Sequence, residues 1–360
     1  MAIASVAMHT HRDPCRDPHG DPHHDRLCAA AFGDAPGTDA FGPAGSADPR
    51  TRWLAAVVLG GQGHYAAAAT ALRALVAHPD PPWASLAAST LASHRRQLGA
   101  HAAARRLDAL ALRRAPPVRG TAARGTAAGG TTAEGTAGRT AADPDGVDAA
   151  GARADALAGL AADALGLGEL RAAHRLVAAA QRATSESWRT AVRLGWVRAE
   201  LALASGDARA ALAPARVALR LAEQANAVRH IAKSRLVLAA ALSAAGERVS
   251  ACELLHELTG QCARHGLVPL RWPAELLLAE LHDHGDCDLG HREYHRRAAC
   301  AALRFVLRRA DGSLRTAAES SLWVPSEGLR TTDSAERSSV GEILLEICTG
   351  LCQGSTPRDR

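Results

Sequence analysis

The sequence predicts an all-α protein built as a solenoid of helix pairs, and three observations predict it. Leucine and alanine recur at three- and four-residue intervals through most of the 360 residues, the period of a helix with one buried face. Glycines punctuate these stretches at Gly63, Gly99, Gly168, Gly206 and Gly246. Aromatic residues make up 3% of the chain against 47% hydrophobic, so alanine carries much of the apolar count. Alanine has the best intrinsic helix propensity, and small side chains suit helices that approach closely.

In chain order, residues 1–50 carry "HTHRDPCRDPHGDPHHDRLC" at 9–28, within which RDPC, RDPH, GDPH and HDRL follow one another. This is one tetrapeptide stuttered with errors. Its proline, glycine and charge cannot bury enough surface to offset ordering entropy, which predicts a disordered tail. Cys15, His19, His23, His24 and Cys28 are chelating side chains, but their separations match no zinc-site spacing and nothing preorganises them. They read as stutter with no metal-dependent task.

Residues 51–115 hold the first two helix pairs. Residues 116–150 carry a second low-complexity run, RGTAA, RGTAA, GGTTA, EGTAG, which predicts a flexible linker. Residues 151–310 return to helix pairs. The separations between the punctuating glycines are 36, 69, 38 and 40 residues. Removing a linker of about 35 from the long gap leaves about 34, a helix-pair period. Residues 311–360 form a C-terminal tail in which Ser339 and Glu342 make a capping box ahead of "ILLEICTGLC", a short helix placed to cover the last repeat.

Each glycine is followed five residues later by an alanine: Ala68, Ala104, Ala173, Ala211 and Ala251. Glycine permits the tight turn between antiparallel helices, and the alanine sits where the second helix crosses the first. Four and seven residues beyond the alanine the same buried face continues, with Leu72 and Leu75, Asp108 and Ala111, Val177 and Ala180, Ala215 and Ala218, and Leu255 and Leu258.

This pattern resembles tetratricopeptide (TPR) repeats, and "WASLAASTLASHRRQLGAHAAARRLDALALRRAP" is its best single match. Stretches such as "ALRLAEQANAVRHIAKSRLVLAAALSAAGERVSACELLHELTGQCARHG" are similar to the longer, degenerate TPR-like sensor arrays of bacterial transcription regulators. The resemblance implies a right-handed solenoid with a concave surface, and binding rather than catalysis.

Catalytic and cofactor motifs fail on their context. "VVLGGQGHYAAA" spaces Gly61, Gly63 and Ala66 like a dinucleotide loop, but Asp80, the acidic residue that should follow a strand, lies in "HPDPPW". "HELTG" begins like a zincin helix, yet Gly260 stands where the second histidine belongs. The best polar cluster is "HDHGDCDLGHREYH", where His284, Cys287, His291 and His295 offer metal ligands. It reads instead as a helix-capping loop, with Asp286 and Asp288 at the helix start and no metal or other cofactor assigned.

Nearly all the cations are arginine, and Lys233 is the sole lysine. Arg95, Arg105, Arg113 and Arg296, members of recurring arginine pairs, are the candidate contacts for an acidic partner. The net charge of +5 is modest, and the scarcity of aromatics argues against nucleic acid. The 8 cysteines form no CxxC pair and read as reduced thiols. The N-terminus shows no secretory pattern and no apolar run approaches about 18 residues, so a cytoplasmic chain without a membrane span is expected. Trp53, Trp83, Trp188, Trp196 and Trp272 lie near helix starts and read as core packing, or as binding hot spots where they face a groove.

The function expected is a non-catalytic scaffold or regulatory module that captures a protein or peptide partner in its groove, compatible with self-association. The alternative is a ligand- or peptide-sensing module associated with a bacterial transcription regulator. A closed apolar pocket holding one or two trapped arginines would favour that alternative.

Overall fold

The computed structural model describes residues 22–116, 143–183, 187–283, 289–321 and 324–325. These form fourteen α-helices, a short 3-10 turn and no strand. The helices are α1 (Pro22–Phe32), α2 (Pro49–Gln62), α3 (Tyr65–Val76), α4 (Pro81–Arg96), α5 (His101–Arg114), α6 (Ala149–Gly166) and α7 (Leu170–Ala183). They continue as α8 (Trp188–Ala204), α9 (Ala208–Gln224), α10 (Val228–Ala244), α11 (Arg248–His265), α12 (Val268–Asp283), α13 (Leu289–Arg308) and α14 (Gly312–Glu319). None of them is long and apolar enough to cross a membrane.

Aspartates start several helices by accepting a hydrogen bond from an otherwise orphaned N–H: Asp48 from Thr51, Asp148 from Gly151, Asp207 from Ala210 and Asp311 from Leu314. From α2 to α13 consecutive helices pack against one another in chain order. The turn glycines Gly63, Gly99, Gly168, Gly206 and Gly246 all take positive φ, between 74° and 91°, where a Cβ would be strained. Ala68, Ala104, Ala173, Ala211 and Ala251 are each fully buried, and so are the residues four and seven positions beyond them.

Order begins well before residue 51. The composition predicts a disordered tail up to residue 50, whereas Pro22–Phe32 is helix α1, with Leu27, Cys28, Ala30, Ala31 and Phe32 in the core. The physical reason is the short run "LCAAAF", an apolar face that the neighbouring stutter masks in composition but that packs on α2. Phe32 stands 5.8 Å from the Trp53 ring, and Gly33 accepts a hydrogen bond from the Val228 N–H at the start of α10. Cys28 therefore fills the core. The linker range narrows at its C-terminal end too, where Asp143 takes a salt bridge from Arg50 at 3.2 Å and Asp145 is buried. The remaining linker, residues 117–142, lies outside the described residues, as do Cys15, His19, and the capping box at Ser339 and Glu342.

The row of helices curves until its ends meet. The Ala66 N–H donates to the Arg309 carbonyl at 2.6 Å, and His64 packs edge-on against Phe305. Arg95 forms a two-pronged ion pair with Asp311 at 3.0 and 2.9 Å, and Arg73 reaches the same carboxylate. Asp311 also caps α14, and these donors hold its carboxyl well below the usual carboxylate range. Asp311→Ala should cost about 2–4 kcal/mol, because it removes a cap and strands a buried guanidinium. Urea unfolding measures the loss. Amide exchange should show α14 opening first, and an unchanged midpoint would mean that the closure carries no stability.

Candidate functional site

A cavity of about 280 Å³ lies at the centre of the curve. The first helix of every pair contributes to it: α2, α4, α6, α8, α10 and α12. Its apolar wall is Phe32, Trp53, Trp196, Leu270 and Trp272. On the polar side Arg96, Arg189, Arg193, Arg229 and Lys233 line the cavity together with the carboxylates of Asp155 and Glu200. Helical spacing explains the alignment: Arg189, Arg193, Trp196 and Glu200 follow one face of α8, and Arg229, Lys233 and Leu236 one face of α10.

Most of these cations are already paired. Arg189 donates to Asp155 at 2.7 Å and to the carbonyls of Asp145 and Gly146, tying the end of the linker to α8. Arg193 Nε lies 2.9 Å from the other Asp155 oxygen, although misaligned for a hydrogen bond. Lys233 reaches Glu200 at 3.3 Å. Arg96 is shared between Asp108 on α5 and Asp163 on α6, both fully buried, and Ser89 donates to Asp108 at 2.8 Å.

Arg229 is different. Its Nε is buried without a hydrogen-bond partner, and it makes no ion pair, among the described residues. Burial first, then the neighbouring Arg193 and Arg189, pulls its pKa down to about 10. The Arg229 stem packs over Gly61, where a side chain would collide with it.

Around the cations sit histidines that burial keeps neutral. His94 stacks on Tyr65 at 4.8 Å and its pKa is pushed down to about 3 by burial and by Arg229 and Arg95. His101 falls to about 4 through burial and Arg96. His230, ringed by Phe32, Trp188 and Trp196, is also held well below its ordinary value, by burial and then Arg229. Burial likewise raises the Tyr65 hydroxyl, which donates to Gln97 at 2.7 Å.

None of the four arginines singled out in the sequence lines this cavity. Arg95 is not available to a partner, because the ring closure takes it: a residue pair read as a solvated face is half core. Arg105 pairs with Glu169 at 2.7 Å on the surface, Arg113 is exposed at the end of α5, and Arg296 is half-buried on α13. Of the tryptophans, Trp53, Trp196 and Trp272 line the cavity, while Trp188 donates to Asp145 and Trp83 packs beside Trp53. His284 and Cys287 lie outside the described residues. His291 is exposed against His282, and His295 is buried and bonded to Glu275 at 2.8 Å, so their helix presents them to two different surroundings. Sequence reading missed Arg189, Arg193 and Arg229, although charged residues at four-residue spacing on otherwise apolar inner helices were the available signal.

Protein-family models and curated protein sequences give no match to this chain. The cavity chemistry is therefore the ground for a functional reading.

Proposed function

We propose that the protein is a non-catalytic ligand-sensing module, a right-handed TPR-like solenoid whose closed curve holds an amphipathic small molecule or peptide end bearing an anionic group. The single observation that carries this reading is Arg229, a half-buried guanidinium whose buried Nε has no hydrogen-bond partner among the described residues, beside an aromatic cavity. Leaving a buried charge uncompensated costs several kcal/mol, which an arriving carboxylate or phosphate would recover. Trp53, Trp196 and Trp272 supply apolar surface for the rest of the ligand, and the volume is near the lower bound of about 300 Å³ for small-molecule sites.

A groove-binding scaffold draws less support. Among the described residues the large exposed apolar side chains are Phe41, Leu167, Val217, Val249 and Tyr294, each on a different element or turn. α1 also packs between α2 and α10 and puts Phe32 into the cavity, on the inner side where an extended peptide would lie.

The test is calorimetric titration of the full chain with aromatic carboxylates and phosphates and their neutral amide or alcohol analogues. Anions should bind and the analogues bind at least about tenfold more weakly, a difference that Arg229→Gln should abolish. Equal affinity for both classes, or anion binding untouched by Arg229→Gln, would exclude an Arg229 anchor.

A further inference from the structure

The geometry points to a divalent transition-metal site, zinc by its ligand chemistry, formed by His256, His282 and His295 across three consecutive helices and apart from the central cavity. His256 lies on α11, His282 in the last turn of α12 and His295 on α13. One nitrogen of each falls within 4.8 Å of the others. Zinc holds imidazole nitrogen at about 2.0–2.1 Å, which sets tetrahedral ligands about 3.4 Å apart, and rotation of the exposed His256 ring closes the difference.

The tautomers favour this assembly. His256 Nδ1 lies 2.8 Å from the Cys252 carbonyl, an acceptor, so Nδ1 carries the proton and Nε2 keeps its lone pair. His295 Nδ1 lies 2.8 Å from the Glu275 carboxylate, which fixes the same tautomer. Glu275 is itself buried and anchored by Arg271 at 3.1 Å. A carboxylate holding the far nitrogen of a histidine is the arrangement that orients metal ligands and raises their basicity. The third member adds the independent observation: His282 Nε2 is buried and has no hydrogen-bond partner among the described residues. The His282 and His295 rings lie parallel, 5.5 Å apart, with His256 edge-on to both. A bound ion would satisfy the orphaned nitrogen and join α11, α12 and α13. Three histidines leave a fourth position, which water would fill.

The sequence hides this site because its ligands are 26 and 13 residues apart in the chain, on separate helices. The "HELTG" motif lacks a second histidine on its own helix, but the neighbouring helices provide two.

The test uses the full chain, stripped with a chelator and then dialysed against zinc. His9, His11, His19, His23 and His24 will also hold metal, so the comparison is with His256→Gln. His256 is exposed, so the variant should fold as the parent does. The parent should bind one more ion per chain, and zinc should raise its urea midpoint while leaving that of His256→Gln unmoved. Cobalt should give intense visible bands in the parent alone. Glu275→Gln should weaken the site about 10–100-fold, the measured range for such outer partners. Equal stoichiometry in parent and His256→Gln, with no zinc-dependent shift in the parent, would overturn the proposal.

Discussion

Arg96→Met should destabilise the protein by about 3–5 kcal/mol, the cost of leaving buried charge without its partner. Arg96 stands between two fully buried carboxylates, Asp108 and Asp163, and also donates to the Gly159 carbonyl. Removing it leaves two anions facing each other in a dry site, and burial together with Asp163 already pushes the Asp108 pKa well up. Gly159 has no room to relieve them, since a side chain there would fall on the Asp108 carboxylate. At about 1–2 °C per kcal/mol for a chain of this size, the melting temperature should drop by about 3–10 °C. Arg105→Met is the control. Its ion pair with Glu169 has the same 2.7 Å separation as Arg96 with Asp163, but both side chains are more than 40% exposed. It should change stability by no more than about 1 kcal/mol. Adding Asp108→Asn and Asp163→Asn to Arg96→Met should recover part of the loss, because the repelling charges disappear. Equal effects from Arg96→Met and Arg105→Met would show that the inner cluster is not the clamp between α4, α5 and α6.

The same cluster shows what was legible in the sequence. The repeat phase placed Asp108 on the buried face, at a position that is Leu72, Val177, Ala215 or Leu255 in the other pairs, but it named neither Arg96 nor Asp163 as its neighbours. Glycine and alanine spacing was legible because turns and helix crossings are local and each imposes its own residue type. Helix α1 was not legible, since six apolar residues after a polar stutter form a helix only when α2 offers them a surface. The cavity and the histidine cluster were hidden for a different reason. Arg229 and Trp53, or His256 and His295, become neighbours only when the whole curve is built, and no local pattern records how far it turns. Arg95 illustrates the reverse case: its sequence neighbourhood suggests a surface cation, and only the return of Asp311 from more than 200 residues away buries it.

Acidification should unfold the protein well above the carboxylate range. His94, His101 and His230 are neutral when folded, with pKa values of about 3 and about 4 for the first two and well below 6.5 for the third. Once unfolded, each returns to about 6.5. Below that pH the unfolded chain therefore binds three protons that the folded chain refuses. Their contribution to stability is present above about pH 6.5 and lost as pH falls towards 4. Partly exposed His64 and His282, also shifted down mainly by burial, add in the same direction. Asp108 works the other way. Its raised pKa lets the folded state keep a proton that the unfolded state has released, so it gains stability as pH falls through that range. Counting the three buried histidines against Asp108 alone, the net excess is about two protons, or about 2.7 kcal/mol per pH unit. Against a typical total of about 5–15 kcal/mol, the urea midpoint should fall steeply between about pH 6 and pH 4.5. His230→Phe keeps the aromatic contacts with Phe32, Trp188 and Trp196 while removing one proton site. That variant should flatten the slope by about 1.4 kcal/mol per pH unit and leave stability at pH 7.5 nearly unchanged. A midpoint that stays level down to about pH 5 would mean that these rings reach water in the folded state. The cavity would then not be the dry, cation-lined chamber on which an Arg229 anchor depends.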